Sequence, residues 1–450
     1  MPASAKRMML DLTLRSLAAK AAVMLLAVCA CAALIFAVIS EFIVGTLTDE
    51  RAAASLTALE AATDYFPNSA RLHGRLAAIA EREGDLSLAE SHILRAIARS
   101  PYNYSFAEML ASVEESRSDC DSAERSLREA IRLAPNKADV HWSLANLLLR
   151  RGELGPSLEE FQTAAALKRS LLPGTLNLIW RASNGSVEAL EIVSGEEAAA
   201  RIALARFLLN HSRAEEAAAV LNTVGREQRL ASAECDALLS DFVGSNQLEL
   251  ARSLWARTVG ANDREPPLIS NGGFESDAVE GFSQFDWKIN RSDYARASIA
   301  EGNARTGARS LRLDFLGRDT TRLDNEVEQL VVVKPGAHYR LECYWKSDGL
   351  VTSEGPRIVV TTTPAASPEW VASTEPVSAG RSDWQHLETK FVAPSSIDGR
   401  PVGLYISIKR RPKFSYDEPT RGRIYFDDFT LTEQPPVATE RQTARGHDRS

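Results

Sequence analysis

The residue types that carry covalent or metal chemistry are dispersed along this 450-residue chain. Cys29 and Cys31 lie in an apolar run, and Cys120, Cys235 and Cys343 stand alone. No CxxC spacing offers a metal or redox pair, and the seven histidines do not cluster as zinc ligands would. GxSxG, HExxH, P-loop and GxGxxG patterns are absent. A glycosidase needs two carboxylates held across a cleft. Among 60 acidic residues a pair can always be chosen, and nothing marks one. The expectation is a chain that binds rather than catalyses.

Composition narrows the class. At 44% hydrophobic and 25% charged the chain is globular, which excludes a collagen, an acidic disordered chain or a disulfide scaffold. Its length suggests two to four domains. The net charge of −8 argues against nucleic-acid binding. That charge is segregated: residues 47–265 carry 24 basic and 32 acidic groups, so their balance equals that of the whole chain. The excess acid belongs to this segment, which should prefer a neutral or basic partner.

Ala21–Ser40 is a charge-free run of about the length that spans a bilayer. Lys6, Arg7, Arg15 and Lys20 precede it, and Glu41, Asp49 and Glu50 follow. This asymmetry predicts a single-pass inner-membrane protein, N-terminus cytoplasmic and bulk extracytoplasmic. The run exceeds a cleaved signal's apolar core, so an uncleaved anchor is expected.

Pro67, Pro101 and Pro135 recur every 34 residues, as do Leu76, Leu110 and Leu144. So do Ala77, Ala111 and Ala145; Ala89, Ala123 and Ser157; and Ala96, Ala130 and Ala164. Ile93, Leu127 and Phe161 fill a large position, and Gly84, Ser118 and Gly152 a turn position. Small residues let paired helices approach, a large one fills the gap, and proline ends the second helix. The pattern resembles tetratricopeptide repeats over 70–169. It weakens across 170–200 and returns at Ala205, Ala217 and Leu221, then Leu239, Ala251 and Trp255. Such arrays bind partners in a groove lined by first helices. Arg75, Met109, Trp142 and Asn146 are groove candidates, with inter-repeat packing the competing role for Met109 and Trp142.

Beyond Glu265 the apolar period becomes two, as in 310–315, 339–345 and 402–409, with Pro-Gly and Asp-Gly turns between. The segment opens on Asn271-Gly272-Gly273-Phe274-Glu275 and closes on Ile424-Tyr425-Phe426-Asp427-Asp428-Phe429. With GARSLRL at 307–313, VVVKPGAHYRLECYWKS at 331–347 and DWQHLETKFVAP at 383–394, it resembles carbohydrate-binding modules of the family 4 and 9 type. The resemblance implies a galactose-binding-like jelly roll whose ends meet, often around calcium. Glu275 with Asp427 or Asp428 would then supply hard oxygen ligands, the alternative being that Glu275 bonds only backbone. It also implies aromatic stacking on a pyranose, with Trp287, Trp370, Tyr405 and Tyr416 as candidates. Lys409-Arg410-Arg411 with Lys413 is a basic cluster, read as a solvated loop or as favouring an acidic glycan.

The expected organisation is a basic segment 1–20, a transmembrane anchor 21–47, an α-solenoid 48–265, an antiparallel β-sandwich 266–435 and a disordered tail 436–450. The expected function is a non-enzymatic envelope scaffold in which repeats hold a protein and the sandwich holds glycan, in exopolysaccharide biosynthesis or export. Alternatives are a protein-assembly or secretion scaffold whose sandwich binds no sugar, and an accessory glycan-cleaving enzyme.

Overall fold

A computed structural model describes residues 17–48, 56–260, 267–277, 281–363, 369–396, 398–414 and 417–435. The chain divides into two compact units, Met1–Val193 and Ser194–Ser450.

The first unit is helical. Helix α1 (Leu17–Thr48) is long and apolar enough to cross a membrane, and its Met24, Leu26, Phe36 and Phe42 side chains are exposed. Its last turns change role: Val44 is buried with Leu59 of α2 (Leu56–Tyr65) and with Leu72 and Leu76 of α3 (Ala70–Glu83). Hairpins follow: α3 with α4 (Leu86–Arg99), α5 (Tyr104–Ser116) with α6 (Cys120–Leu133), and α7 (Ala138–Arg150) with α8 (Leu154–Leu167). The 34-residue frame is visible in the contacts. The alanines at 77, 111, 145, 89, 123, 96, 130 and 164 are buried, as are Ile93, Leu127 and Phe161. Caps repeat too: Ser69 and Asn103 cap first helices, and Asp85 and Asp119 cap second helices. Each hairpin turn needs a left-handed residue, met at Gly84, Ser118 and Gly152 with φ of 85°, 64° and 80°. The following N–H reaches back five residues, as Asp85 N to Ala80 O and Asp119 N to Glu114 O, which closes the helix end. Where the period lapses, a 3₁₀ turn at Arg169–Leu171 leads to α9 (Leu172–Ala182) and α10 (Val187–Ser194).

The second unit joins helices to a sandwich. Its helices are α11 (Ala198–Asn210), α12 (Ala214–Thr223), α13 (Arg226–Leu230), α14 (Ala233–Gly244) and α15 (Leu248–Val259). The degraded repeats keep the same turn device, with Ser212 and Asn246 at φ 60° and 58°. The strands are β1 (Lys288–Ile289), β2 (Ala295–Glu301), β3 (Arg309–Leu316), β4 (Val327–Val333), β5 (His338–Val351), β6 (Arg357–Thr362), β7 (Trp370–Ser373), β8 (Gly380–Val392), β9 (Val402–Lys409) and β10 (Arg421–Gln434). They form two antiparallel sheets ordered β1-β4-β9-β6-β7 and β2-β3-β10-β5-β8. The inner faces bury Leu311, Leu341, Trp345, Ile358, Val360, Leu404, Ile406 and Phe426.

The change from helix to strand near 265 is not a boundary between compact units. Trp255 of α15 donates its indole N–H to Phe282 O at 2.9 Å and meets the Phe285 ring edge-on. Gln284 donates to Asp236 O and Ser240 Oγ of α14, each at 3.1 Å. Leu248 reaches the outer face of the first sheet. A β-carbon on Gly403 would lie 3.1 Å from its methyl.

Candidate functional site

Strand alternation builds a cleft on the outer face of the first sheet. Leu404, Ile406 and Ile408 of β9 point into the core, so Tyr405, Ser407 and Lys409 point outward. By the same argument Arg357, Val359 and Thr361 of β6 share that face. Lys409 pairs directly across from Arg357, and Thr361 pairs with Trp370. The cleft is lined by Glu354, Gly355, Arg357, Trp370, Lys409, Arg411 and Pro412 and encloses about 200 Å³. That is smaller than the about 300–1,000 Å³ typical of pockets that engulf a small molecule, so it is a shallow cleft that would take one sugar ring against its wall. Gly355 leaves no room for a side chain, since a β-carbon there would meet Val377 O.

The cluster Lys409-Arg410-Arg411 is split by the pleat. Lys409 and Arg411 line the cleft, whereas Arg410 turns into the protein and is fully buried. Its guanidinium bonds Asp417, Thr321 O, Ser353 Oγ at 3.4 Å and Glu354 O at 3.2 Å. It is therefore neither a solvated loop residue nor a ligand contact. It braces the cleft wall from beneath.

The four aromatic candidates separate. Trp370 is 53% exposed at the cleft. Tyr405 is half-buried on the same outer face, where burial raises its phenol above the ordinary value. Trp287 is 2% exposed, packed between Phe274 at 5.2 Å and Phe429 at 4.9 Å, and has no face left for a sugar. Tyr416 lies outside the described residues.

The opening and closing motifs meet, as the resemblance implies. Phe429 N donates to Gly272 O at 2.9 Å. The acidic residues there are engaged by donors. Glu275 accepts from Ala308 N and Arg309 N, at 2.9 and 3.0 Å. Asp427 accepts from the backbone of Arg305, Thr306 and Asp428. Asp428 takes the Thr306 hydroxyl and an ion pair with Arg305 at 2.6 Å. Burial pushes the Asp427 carboxyl up to about 6, with the Asp428 charge adding to it and the backbone N–H groups opposing. A cation would have to displace these donors and face the Arg305 charge, so the donor set does not fit calcium as arranged. Among the described residues, Glu342, His386 and Glu388 do bring ligand atoms within 4.8 Å of one another. Arg340 pairs with both of those carboxylates at 2.7 and 2.8 Å.

On the repeats, Met109 packs against the hydrophobic cluster of Ala77, Ile93 and Val113, and Trp142 meets Phe161 edge-on at 5.1 Å. Both act in packing. Asn146 donates to Trp142 O at 2.8 Å, and Arg75 is half-buried on α3 with Nε unbonded. Residues that sequence reasoning missed tie the first helices together. Glu81 accepts the Ser112 hydroxyl, and Glu115 pairs with Arg150. Glu108 is half-buried, its carboxyl raised by burial and by Asp139.

Sequence reasoning also passed over the buried histidines. His73 and His141, two periods apart, bond Pro67 O and Pro135 O at 3.1 and 2.9 Å. Their other nitrogens meet His92 at 3.1 Å and Glu160 at 2.6 Å, again two periods apart. A carbonyl only accepts, so His73 Nε2 carries hydrogen and a neutral His73 must accept from His92. The contact thus needs at least one neutral ring, and a second proton breaks it. Burial, then His73, then Arg95, hold the His92 imidazole below its ordinary value. Stability from this group is complete above the ordinary histidine value and is lost as pH falls through it. Lowering pH from about 7.5 to about 5.5 should loosen this hairpin by up to about 1.4 kcal/mol per pH unit for each proton bound on unfolding. Hydrogen exchange at α3 and α4 amides would read this out. His92→Glu, which copies the His141–Glu160 pair, should abolish the loss on acidification, because a carboxylate favours the imidazolium, and a flat wild-type profile would refute it.

No curated protein matches the chain. Residues 47–104 and 108–170 match the tetratricopeptide repeat family. Among solved structures, the MamA protein is 16% identical, with 34% of this chain and 87% of that one covered at a TM-score of 0.30. A family 16 carbohydrate-binding module is 19% identical, covering 37% and 99% at 0.24. The CBM22-2 xylan-binding domain from Paenibacillus barcinonensis is 16% identical, covering 36% and 98% at 0.27. The chain thus joins tetratricopeptide repeats to an antiparallel two-sheet β-sandwich.

Proposed function

We propose that this chain is a non-catalytic, membrane-anchored scaffold of the bacterial envelope whose sandwich binds glycan and whose repeats hold a partner protein. Helix α1 is the single inner-membrane span, the bulk is extracytoplasmic, and the setting is exopolysaccharide biosynthesis or export. The observation that carries the glycan reading is Trp370, a large aromatic face open to solvent in a cleft walled by polar side chains. A pyranose presents an apolar CH face to such a ring and hydroxyls to the walls. The acidic residue lining the cleft, Glu354, is ion-paired with Arg357, which leaves no pair of free carboxylates for hydrolysis.

The acidic groups along the first helices (Glu81, Glu108, Glu115 and Asp139) favour a neutral or basic peptide segment in the repeats. A second reading has one observation behind it. The anchoring of Trp255 and Gln284 makes the sandwich a rigid continuation of the last helices, as an assembly spacer would be.

Retention of the detergent-solubilised chain on immobilised polysaccharides separates the two. Trp370→Ala should weaken retention by about 2 kcal/mol, roughly 30-fold, with the melting midpoint unchanged. If wild-type protein is retained on no polysaccharide, the glycan reading fails and the spacer reading stands.

A further inference from the structure

The cleft carries a charge pattern that a neutral glycan does not require. Arg357 and Lys409 are register partners on adjacent antiparallel strands, both on the outer face. Like charges directly opposite each other cost sheet stability. A local rule broken in this way, with no structural gain, marks a functional position. The two other cations at the cleft have carboxylate partners: Arg357 pairs with Glu354, and Arg411 with Asp324 at 3.2 Å. Lys409 has no ion-pair partner among the described residues. Asp324, Glu326 and Glu328 reach it only through their longer-range field. Half-buried on the sheet, its ammonium is held below the ordinary lysine value by desolvation, which the field of those acids does not offset. Trp370 opens onto the same cleft.

We infer that the cleft is selective for an acidic glycan, with a pyranose ring on Trp370 and its carboxylate received by Lys409 between Arg357 and Arg411. This rests on the glycan reading above and names its substrate class. The incoming carboxylate would give Lys409 the ion-pair partner it lacks and offset the Arg411 charge beside it. Arg410, fixed beneath, holds the Glu354 backbone and through it the wall that positions Arg357. The ring stack orients the sugar, and the cations choose its charge.

The test compares polygalacturonate with its carboxyl-reduced galactan, using the full chain in detergent and isothermal titration. The polyuronide should bind at least about tenfold more tightly, since a charge-assisted hydrogen bond is at stake. Raising salt from about 0.05 to about 0.5 M should erode that margin, because the Debye length shortens severalfold. Lys409→Gln should lose about tenfold toward the polyuronide. It should keep the galactan affinity, and its melting midpoint should not fall, because a half-buried charge without an ion-pair partner is gone. Equal affinity for the two polymers, or an unaltered Lys409→Gln variant, overturns the acidic selectivity while leaving glycan binding intact. Undiminished polyuronide binding by Trp370→Ala overturns the proposed stack and reduces the site to a charge patch. Binding to neither polymer, nor to any neutral polysaccharide, sinks the underlying reading instead.

Discussion

Asp417→Ala should destabilise the Ser194–Ser450 unit by about 3–5 kcal/mol, the cost of breaking a buried ion pair from one side. With about 2–4 °C per kcal/mol for a unit of this size, its melting midpoint should drop by roughly 10 °C. The reason is desolvation. Arg410 and Asp417 have side chains 0% and 1% exposed, and among the described residues Asp417 is the only carboxylate bonded to that guanidinium. Removing it leaves a buried cation whose remaining partners are Thr321 O, Glu354 O and the Ser353 hydroxyl. Those groups come from two loops, β3–β4 and β5–β6, and Leu323 and Arg410 also exchange backbone hydrogen bonds at 2.8 Å. The loss should therefore spread to the cleft wall and weaken glycan retention as well. Replacing both partners, Arg410→Met with Asp417→Leu, should recover most of the stability, because no charge is then stranded. Burial opposes ionisation of Asp417, but the Ser353 hydroxyl, the Arg410 charge and the Lys413 N–H outweigh it and hold its carboxyl below the ordinary value. Its contribution is thus present above the ordinary aspartate value and fades as pH falls through the lower, folded one. Thermal melts followed by near-ultraviolet circular dichroism measure both effects. A single variant that melts like wild type would show that the pair carries no stability.

How much of this was legible in the sequence depends on whether a residue acts through its own backbone or through distant partners. Gly84, Ser118 and Gly152 announce the hairpin turns because a left-handed residue is needed at each one. The alanines at 77, 111 and 145 are equally legible, since close helix crossing demands a small side chain wherever it recurs. Strand alternation gave β5 and β9 for the same reason. Arg410 was not legible: its neighbours Lys409 and Arg411 are cleft residues, and only the pleat and a partner seven residues on make it a buried brace. The His73–His92 pair spans two helices, and neither residue alone signals a contact. Glu275 of the opening motif and Asp427 or Asp428 of the closing one were expected to hold calcium. Their backbone and Arg305 donors come from the 305–309 loop, whose path no spacing rule predicts. The change near 265 marks where helices give way to strands, but not where packing ends. Composition changes there, but Trp255 fills a repeat position and anchors the sandwich at once.

Trp287→Ala should cost about 3–5 kcal/mol, whereas Trp370→Ala should stay within about 0.5 kcal/mol of wild type. The two tryptophans look alike in sequence, each near a β-strand of the same module. Their surroundings are opposite. The Trp287 ring closes a three-ring cluster with Phe274 and Phe429, which themselves meet edge-on at 5.9 Å. Phe274 comes from the opening motif and Phe429 from the closing one, so the ring at 287 fills the space where the ends of the sandwich join. Gly272 sits at that join because a β-carbon would meet Phe429 O, leaving the backbones no room to separate cheaply. Truncating Trp287 would open a cavity that these neighbours cannot collapse into. Trp287→Phe sharpens the argument. Among the described residues the buried Trp287 indole N–H has no hydrogen-bond partner, so an all-carbon ring sheds that donor while keeping much of the packing. That variant should lose less than about 1.5 kcal/mol, well under half of the alanine cost. Melts of the three variants beside glycan retention would separate core from surface. Trp287→Phe should be stable and retain glycan, whereas Trp370→Ala should be stable and lose it. A Trp287→Phe protein that melts normally yet no longer binds would return Trp287 to the ligand site, against its burial.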